Sequence, residues 1–414
     1  MSEAAEFFLS RQPIVAGERR LMGWELAFGS PAGQALTATE EHSGAYLDAV
    51  LEFSKTASWD SLLCGGRAVL PIDRRLVFSG VLDLMPRNRM LLALSPCALG
   101  EIDKGFSNRL YKLYSRRGAR LLFLDYQRRD PREQLLDLAE VAQIDAFGQD
   151  AEARQRLVRR AQRRNLKVLA SSVEQNVDFV RIRDSGFDLL LGQSYSEPSD
   201  DEETQATPDG RVLIQLLVEA RGELEVDLVT RRVEENEELR TGLLRLVNSL
   251  ELARSQKIES ISQALILVGA QGLSRWLNLL LFQVGSHHGT QGPLFRVAAS
   301  RARLMELLVT SRGADDPGSK ERSESAFLVG ILSLVHVLLG TDRKTAIAGL
   351  TLPDEMGQAL TDYKGELGRL LRMSECLDGG QFAELAEIVS ELGIGSRALW
   401  SQQCEAYDWV MKMI

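Results

Sequence analysis

Glu25, Asp125 and Asp145 each stand at the polar end of a short apolar run, in WELAF, FLDYQ and QIDAF. Carboxylates placed this way can converge on one or two divalent cations and, with a group that activates water, hydrolyse a phosphate ester. Other polar side chains at comparable places are Asp73 after RAVLPI, Ser95 after MLLAL, and Ser171 and Ser172 after KVLA. Three carboxylates make an incomplete set, and a lone Asp or Glu at a strand end is more often a helix N-cap or an ion-pair partner. Other chemistry is sparse. Cys64, Cys97, Cys376 and Cys404 form no CxxC motif, and none of His42, His287, His288 and His336 is followed by Asp. His287 and His288 lie between Gly285 and Gly289 and read as a turn, whereas His336, within an apolar helix, reads as buried with one hydrogen-bond partner. Neither GxGxxG, GxxxxGK[ST] nor GxSxG occurs.

The elements that must position these residues follow from eight apolar runs: FFLSRQPIV, LMGWELAF, RAVLPI, RMLLALS, ARLLFLDY, VAQIDAF, LKVLASSV and FDLLLGQ. Several are continuously apolar, as parallel strands covered on both faces are. Helix-length segments separate them from the second onward, including 46–59, 106–116 and 151–164. Eight strands with helical crossovers in about 200 residues predict a (β/α)8-type barrel. Only AGERR separates Val15 from Leu21, too little for a parallel crossover, so the first two strands should form an antiparallel hairpin.

Near residue 200 the character of the chain changes. GQSYSEPSDDEETQATPDGR is polar, acidic and broken by prolines, the composition of a linker. Beyond it apolar residues recur at helical spacing, as in Leu213, Leu216, Leu217 and Ala220, then Leu243, Leu244 and Val247, then Ile258 to Val268, with 326–339 and 382–409 continuing the pattern. The division expected is a barrel at 1–198, a linker at 199–211 and an all-helical domain at 212–414. Residues 1–200 carry 27 basic and 27 acidic side chains, whereas 201–414 carry 22 and 31, so the net charge of −9 lies entirely in the second part. That charge argues against nucleic-acid binding. The scattered cysteines, the acidic start MSEAAEFF and an apolar stretch at 326–339 too short to span a bilayer lead us to expect a cytoplasmic protein with no membrane segment.

RQPIV at 11–15 with GWELAF at 23–28, and SGFDLLLGQSYSEP at 185–198, resemble the opening and closing segments of EAL domains. LLRLVNS at 243–249, KIESISQALILVG at 257–269 and LSRWLNLLLF at 273–282 resemble an HDOD domain. The order resembles that of two-domain EAL–HDOD signalling proteins of bacteria. Catalytic EAL domains hydrolyse cyclic di-GMP on a metal-bearing barrel. Carried over residue by residue, the resemblance implies vestigial site positions at Gln12, Glu25, Asp125, Asp145 and Glu174. It also exposes losses. Gly29 stands where the family has an arginine, Pro71 where it has a metal-binding asparagine, and Ala93 where it has a glutamate. Tyr126 replaces a second aspartate, Gln143 a lysine, Ser171 a glutamate and Leu191 a glutamine.

Each lost ligand or supporting group costs metal affinity on the order of 10–100-fold. The reading is therefore a non-enzymatic signalling protein without a cofactor or a resident metal. It acts through other signalling proteins or a second copy of itself, and the resemblance implies effects on motility or surface behaviour. A cyclic di-GMP receptor without hydrolysis and a residual phosphodiesterase are the alternatives, and the missing arginine at Gly29 argues against nucleotide binding. A basic face of Arg156, Arg159, Arg160, Arg163, Arg164 and Lys167 on the helix whose Ala153, Leu157 and Ala161 should face the barrel reads as a solvated outer surface.

Overall fold

The computed structural model describes residues 5–96 except 18 and 40, 102–198 except 149, 172, 174 and 175, and, beyond them, 213, 231, 233–249, 258–261, 263, 275, 277–283, 289–312, 318–350 and 352–414. The linker, His287, His288, Glu174 and most of the helix expected over 258–268 lie outside the described residues.

All eight expected strands form: β1 (Phe8–Ala16), β2 (Leu21–Gly29), β4 (Arg67–Ile72), β5 (Met90–Leu94), β6 (Arg120–Phe123), β7 (Ala139–Asp145), β8 (Lys167–Ser171) and β9 (Leu189–Leu191). A two-residue strand, β3 (Ala35–Leu36), pairs on β2 and carried no apolar run long enough to be read from sequence. The order β1-β9-β8-β7-β6-β5-β4-β2 is closed by the pairing of β1 with β2, which makes an eight-stranded barrel. Strand β1 pairs antiparallel with both β2, as five intervening residues require, and β9, while β2 and β4 through β9 run parallel around the wall.

Alternation along each strand sorts the side chains. Ile14, Val69, Leu91, Ala93, Leu122, Val141, Leu169, Leu189 and Leu191 fill the barrel interior. Helices α1 (Ser43–Thr56), α2 (Trp59–Leu63), α3 (Arg74–Phe78), α4 (Lys104–Arg117), α5 (Ala151–Arg163) and α6 (Asn176–Asp184) lie between the strands in sequence. Asp73, Asp103 and Asp150 cap three of them by accepting from the backbone N–H of Leu76, Phe106 and Ala153 at 2.7–2.8 Å. On α5 the buried residues are Val158 and Ala161; Ala153 and Leu157 are only partly covered, so the helix is rotated slightly from the face expected.

Among the described residues, the helices with defined bounds in the helical region are α7 (Glu237–Ser249), α8 (Pro293–Arg312), α9 (Ser319–Leu332), α10 (Val335–Leu339), α11 (Arg343–Ala348), α12 (Asp354–Asp362), α13 (Gly365–Gly379), α14 (Phe382–Glu391) and α15 (Ser396–Met411). The apolar stretch at 326–339 is two helices, α9 and α10, interrupted at Ser333 and Leu334. Helices α8 and α9 pack closely enough that a Cβ at Gly330 would fall 2.5 Å from Ala302 Cα. His336 is buried, as its apolar neighbours implied. Among the described residues no helix is long and apolar enough to cross a membrane.

The chain divides into two compact units, one of Met1–Ser194 with Cys376–Cys404, the other of Tyr195–Glu375 with Glu405–Ile414. The first break in this division, between Ser194 and Tyr195, falls near the boundary expected at 198. The assignment of 212–414 to a single helical domain is corrected, because 376–404 pack with the barrel. The cause is the hairpin: β1 has no crossover helix of its own to cover its outer face. Trp400 supplies that cover, with its ring 5.5 Å from Phe7 and 5.6 Å from Phe53, and its indole N–H donates to Thr56 Oγ1 at 2.9 Å. Gln403 Nε2 donates to the Leu9 carbonyl at 3.1 Å. Ser396 Oγ donates to the Glu6 carboxylate at 2.6 Å.

Candidate functional site

Parallel barrels place chemistry at the C-terminal ends of their strands, here the end marked by Gly29, Asp73 and Asp145. Gln12 and Glu25 are direct cross-strand partners in the hairpin. By alternation with Ile14, both point into the barrel, one step below the mouth. Glu25 keeps partial exposure as a residue, but its carboxyl is enclosed, and burial pushes its pKa up to about 7. Tyr46 lies close by: its hydroxyl donates to the Pro71 carbonyl at 2.6 Å. Burial first, then the charges of Asp73 and Glu25, hold its pKa above the usual phenol value.

Asp125 is on the far side of this wall. It follows β6, is exposed, and has a left-handed backbone with φ 47°, a conformation that Asp tolerates better than most residues. Strands β4 and β5 stand between β2 and β6, and their paired residues Pro71 and Ala93 offer no side-chain donor atom. Asp145 is committed to a turn, where Oδ1 accepts from the N–H groups of Phe147 and Gly148, both at 2.9 Å. Asp73 is likewise committed as the cap of α3 and accepts from Ser43 Oγ. Gln143 and Ser171 are partly buried in β7 and β8, and Leu191 is part of the apolar interior. Of the five expected site positions, the fold brings Gln12 and Glu25 together, sets Asp125 and Asp145 apart on other strands, and leaves Glu174 outside the described residues. Among the described residues no group of three or more His, Cys, Asp or Glu side chains could hold a metal ion.

Sequence reasoning missed the residues that share this mouth with Gln12. Gln12 Nε2 donates to the Gly379 carbonyl at 3.0 Å and Ser10 Oγ to the Asp378 carbonyl at 3.4 Å. Phe382, only 5% exposed, lies against Gly29, where a Cβ would fall 2.4 Å from the ring. Gly29, standing where the EAL resemblance implies an arginine, was the available signal that something else fills that space. At the opposite end of the barrel a cavity lined by Met22, Arg67, Glu140, Lys167 and Leu189 holds an Arg67–Glu140 ion pair at 2.7 Å. In such barrels this end serves stability.

The HDOD domain family matches residues 207–339. The chain is 26% identical over 408 residues to the cyclic di-GMP phosphodiesterase CdgJ of Vibrio cholerae serotype O1, covering 97% of this chain and 92% of CdgJ. It is 24% identical over 415 residues to the uncharacterized protein YuxH of Bacillus subtilis, covering 97% of each. Among solved structures, an EAL domain protein from Listeria monocytogenes is similar at 14% identity and a TM-score of 0.38, over 46% of this chain and 87% of that one. The chain therefore carries an HDOD domain at 207–339 behind an eight-stranded barrel, consistent with an EAL–HDOD architecture.

Proposed function

We propose that this protein is a non-catalytic regulator in cyclic di-GMP signalling that acts by binding other proteins, either other signalling proteins or a second copy of itself. The relation to cyclic di-GMP signalling rests on its similarity to CdgJ over nearly the whole chain. The observation that carries the non-catalytic reading is the pair Pro71 and Ala93, two side chains without a donor atom between the strands of Glu25 and Asp125. A divalent metal pair, which the resemblance implies, does not fit this donor set, since hard cations require several converging oxygen ligands. The reading extends to cyclic di-GMP binding, which we expect to be absent at the mouth.

Residual phosphodiesterase activity is the second reading, favoured by the name of CdgJ. The deciding experiment is turnover of cyclic di-GMP by the full chain at saturating magnesium or manganese. We expect no product. Metal-dependent product formation that Glu25→Ala and Asp125→Ala both abolish would overturn the non-catalytic reading.

A further inference from the structure

Residues 378–386 lie across the mouth of the barrel and belong to the same compact unit as its strands. Their contacts fall on three strands. From β1, Ser10 and Gln12 donate to the carbonyls of Asp378 and Gly379. From β2, Gly29 receives the Phe382 ring, and just beyond it Gly33 admits Ala383, whose Cα would lie 2.9 Å from a Cβ there. After β9, Gln193 approaches Gly379 so closely that a Cβ at Gly379 would fall 2.5 Å from its Nε2. Gly380, with φ +67°, turns the backbone from α13 into α14 directly over Ser10. Backbone carbonyls, a turn and an aromatic ring thus take up the hydrogen-bonding and apolar surface of this sector of the mouth.

We propose that residues 378–386 are the resident occupant of the barrel mouth, held there in cis, so that any small ligand of the mouth must first displace them. Because the segment belongs to the same chain, it competes for the mouth intramolecularly, independently of protein concentration. The inference concerns the same site as the functional reading above and rests on it for the expectation that nucleotide is excluded.

The contact-specific test is a double-mutant cycle in the full chain between Gly29→Ala and Phe382→Ala, read by urea denaturation of the barrel unit. We expect Gly29→Ala to lower the midpoint when Phe382 is present and to lower it far less in the Phe382→Ala background. Strictly additive losses would overturn the proposal. Should Gly29→Ala fail to fold, hydrogen exchange of Phe382→Ala serves instead. The expected result is at least about tenfold faster exchange at 378–386 and at the mouth end of β1, and unchanged exchange at both would overturn the proposal. Calorimetry with cyclic di-GMP separates the two readings. Binding that raises exchange at 378–386 supports the occupant while overturning nucleotide exclusion. Binding with exchange there unchanged overturns the occupant. Catalytic turnover would overturn the functional reading, whereas the mutant cycle reports on the Gly29–Phe382 contact whether or not turnover occurs.

Discussion

The side-chain amide of Gln12 donates to the backbone carbonyl of Gly379 at 3.0 Å, across 367 positions of sequence. The first strand of the barrel is therefore finished by one of the last helices of the chain. A fragment ending at residue 198 lacks Phe382, Leu385, Leu399 and Trp400, all buried in the intact protein. Removing a buried Phe or Trp typically costs about 3–5 kcal/mol, and a whole domain is stable by only about 5–15 kcal/mol. We expect the 1–198 fragment to bind a hydrophobic dye and to show no cooperative thermal transition, whereas full-length Trp400→Ala remains folded with stability reduced by about 3–5 kcal/mol. A fragment as cooperative as the full chain would show that the C-terminal helices are dispensable for the barrel.

Glu25 gives the barrel a pH dependence of definite sign. Its folded pKa is about 7 and its ordinary value 4.5, so between these two the folded state holds a proton that the unfolded chain has released. Stability is then full below pH 4.5 and falls as pH rises through 7, by an amount on the order of 3 kcal/mol. Glu25→Gln carries no such titration. Comparing urea midpoints of the two proteins from pH 5 to pH 8.5 should show the wild type losing ground to the variant as pH rises; parallel curves would mean that the carboxyl is solvated or paired.

Arg132 and Asp130 form an ion pair with both side chains fully enclosed. Arg132 Nε and Nη2 donate to the two carboxylate oxygens at 2.7 and 2.6 Å, Nη1 donates to the Leu94 carbonyl, and the guanidinium stacks 4.8 Å from the Phe123 ring centre. The pair ties the end of β5 to the segment after β6. Asp130→Ala leaves an uncompensated buried charge and should cost about 3–5 kcal/mol. Replacing both residues by apolar side chains of similar volume should recover much of that loss. Equal damage from the single and double changes would locate the cost in packing and not in charge.

Much of the barrel was legible because its signals are local. Apolar runs of strand length, five residues between Val15 and Leu21, and capping aspartates before helices each report on neighbours within a few positions. The two-residue β3 was not legible, because a strand so short is set by its pairing partner Phe28–Gly29 and not by its own residues. The candidate site was half legible. The departures from the EAL resemblance at Gly29, Pro71 and Ala93 could be read one at a time, and a helix cap was the plain reading of Asp73, yet nothing local told that Asp145 turns back onto Phe147 and Gly148.

The sequence by itself determined the eight barrel strands, the antiparallel start and the change to helical periodicity, since each is a property of residue type and short-range spacing, whereas the site positions without donor atoms came from the resemblance to EAL domains. Tertiary structure alone decided that residues 376–404 belong with the barrel and that Phe382 fills the space beside Gly29. Amphipathic periodicity states that a helix has an apolar face but not which surface will cover it. That choice was made by the uncovered outer face of β1, a surface that exists only once the barrel has closed.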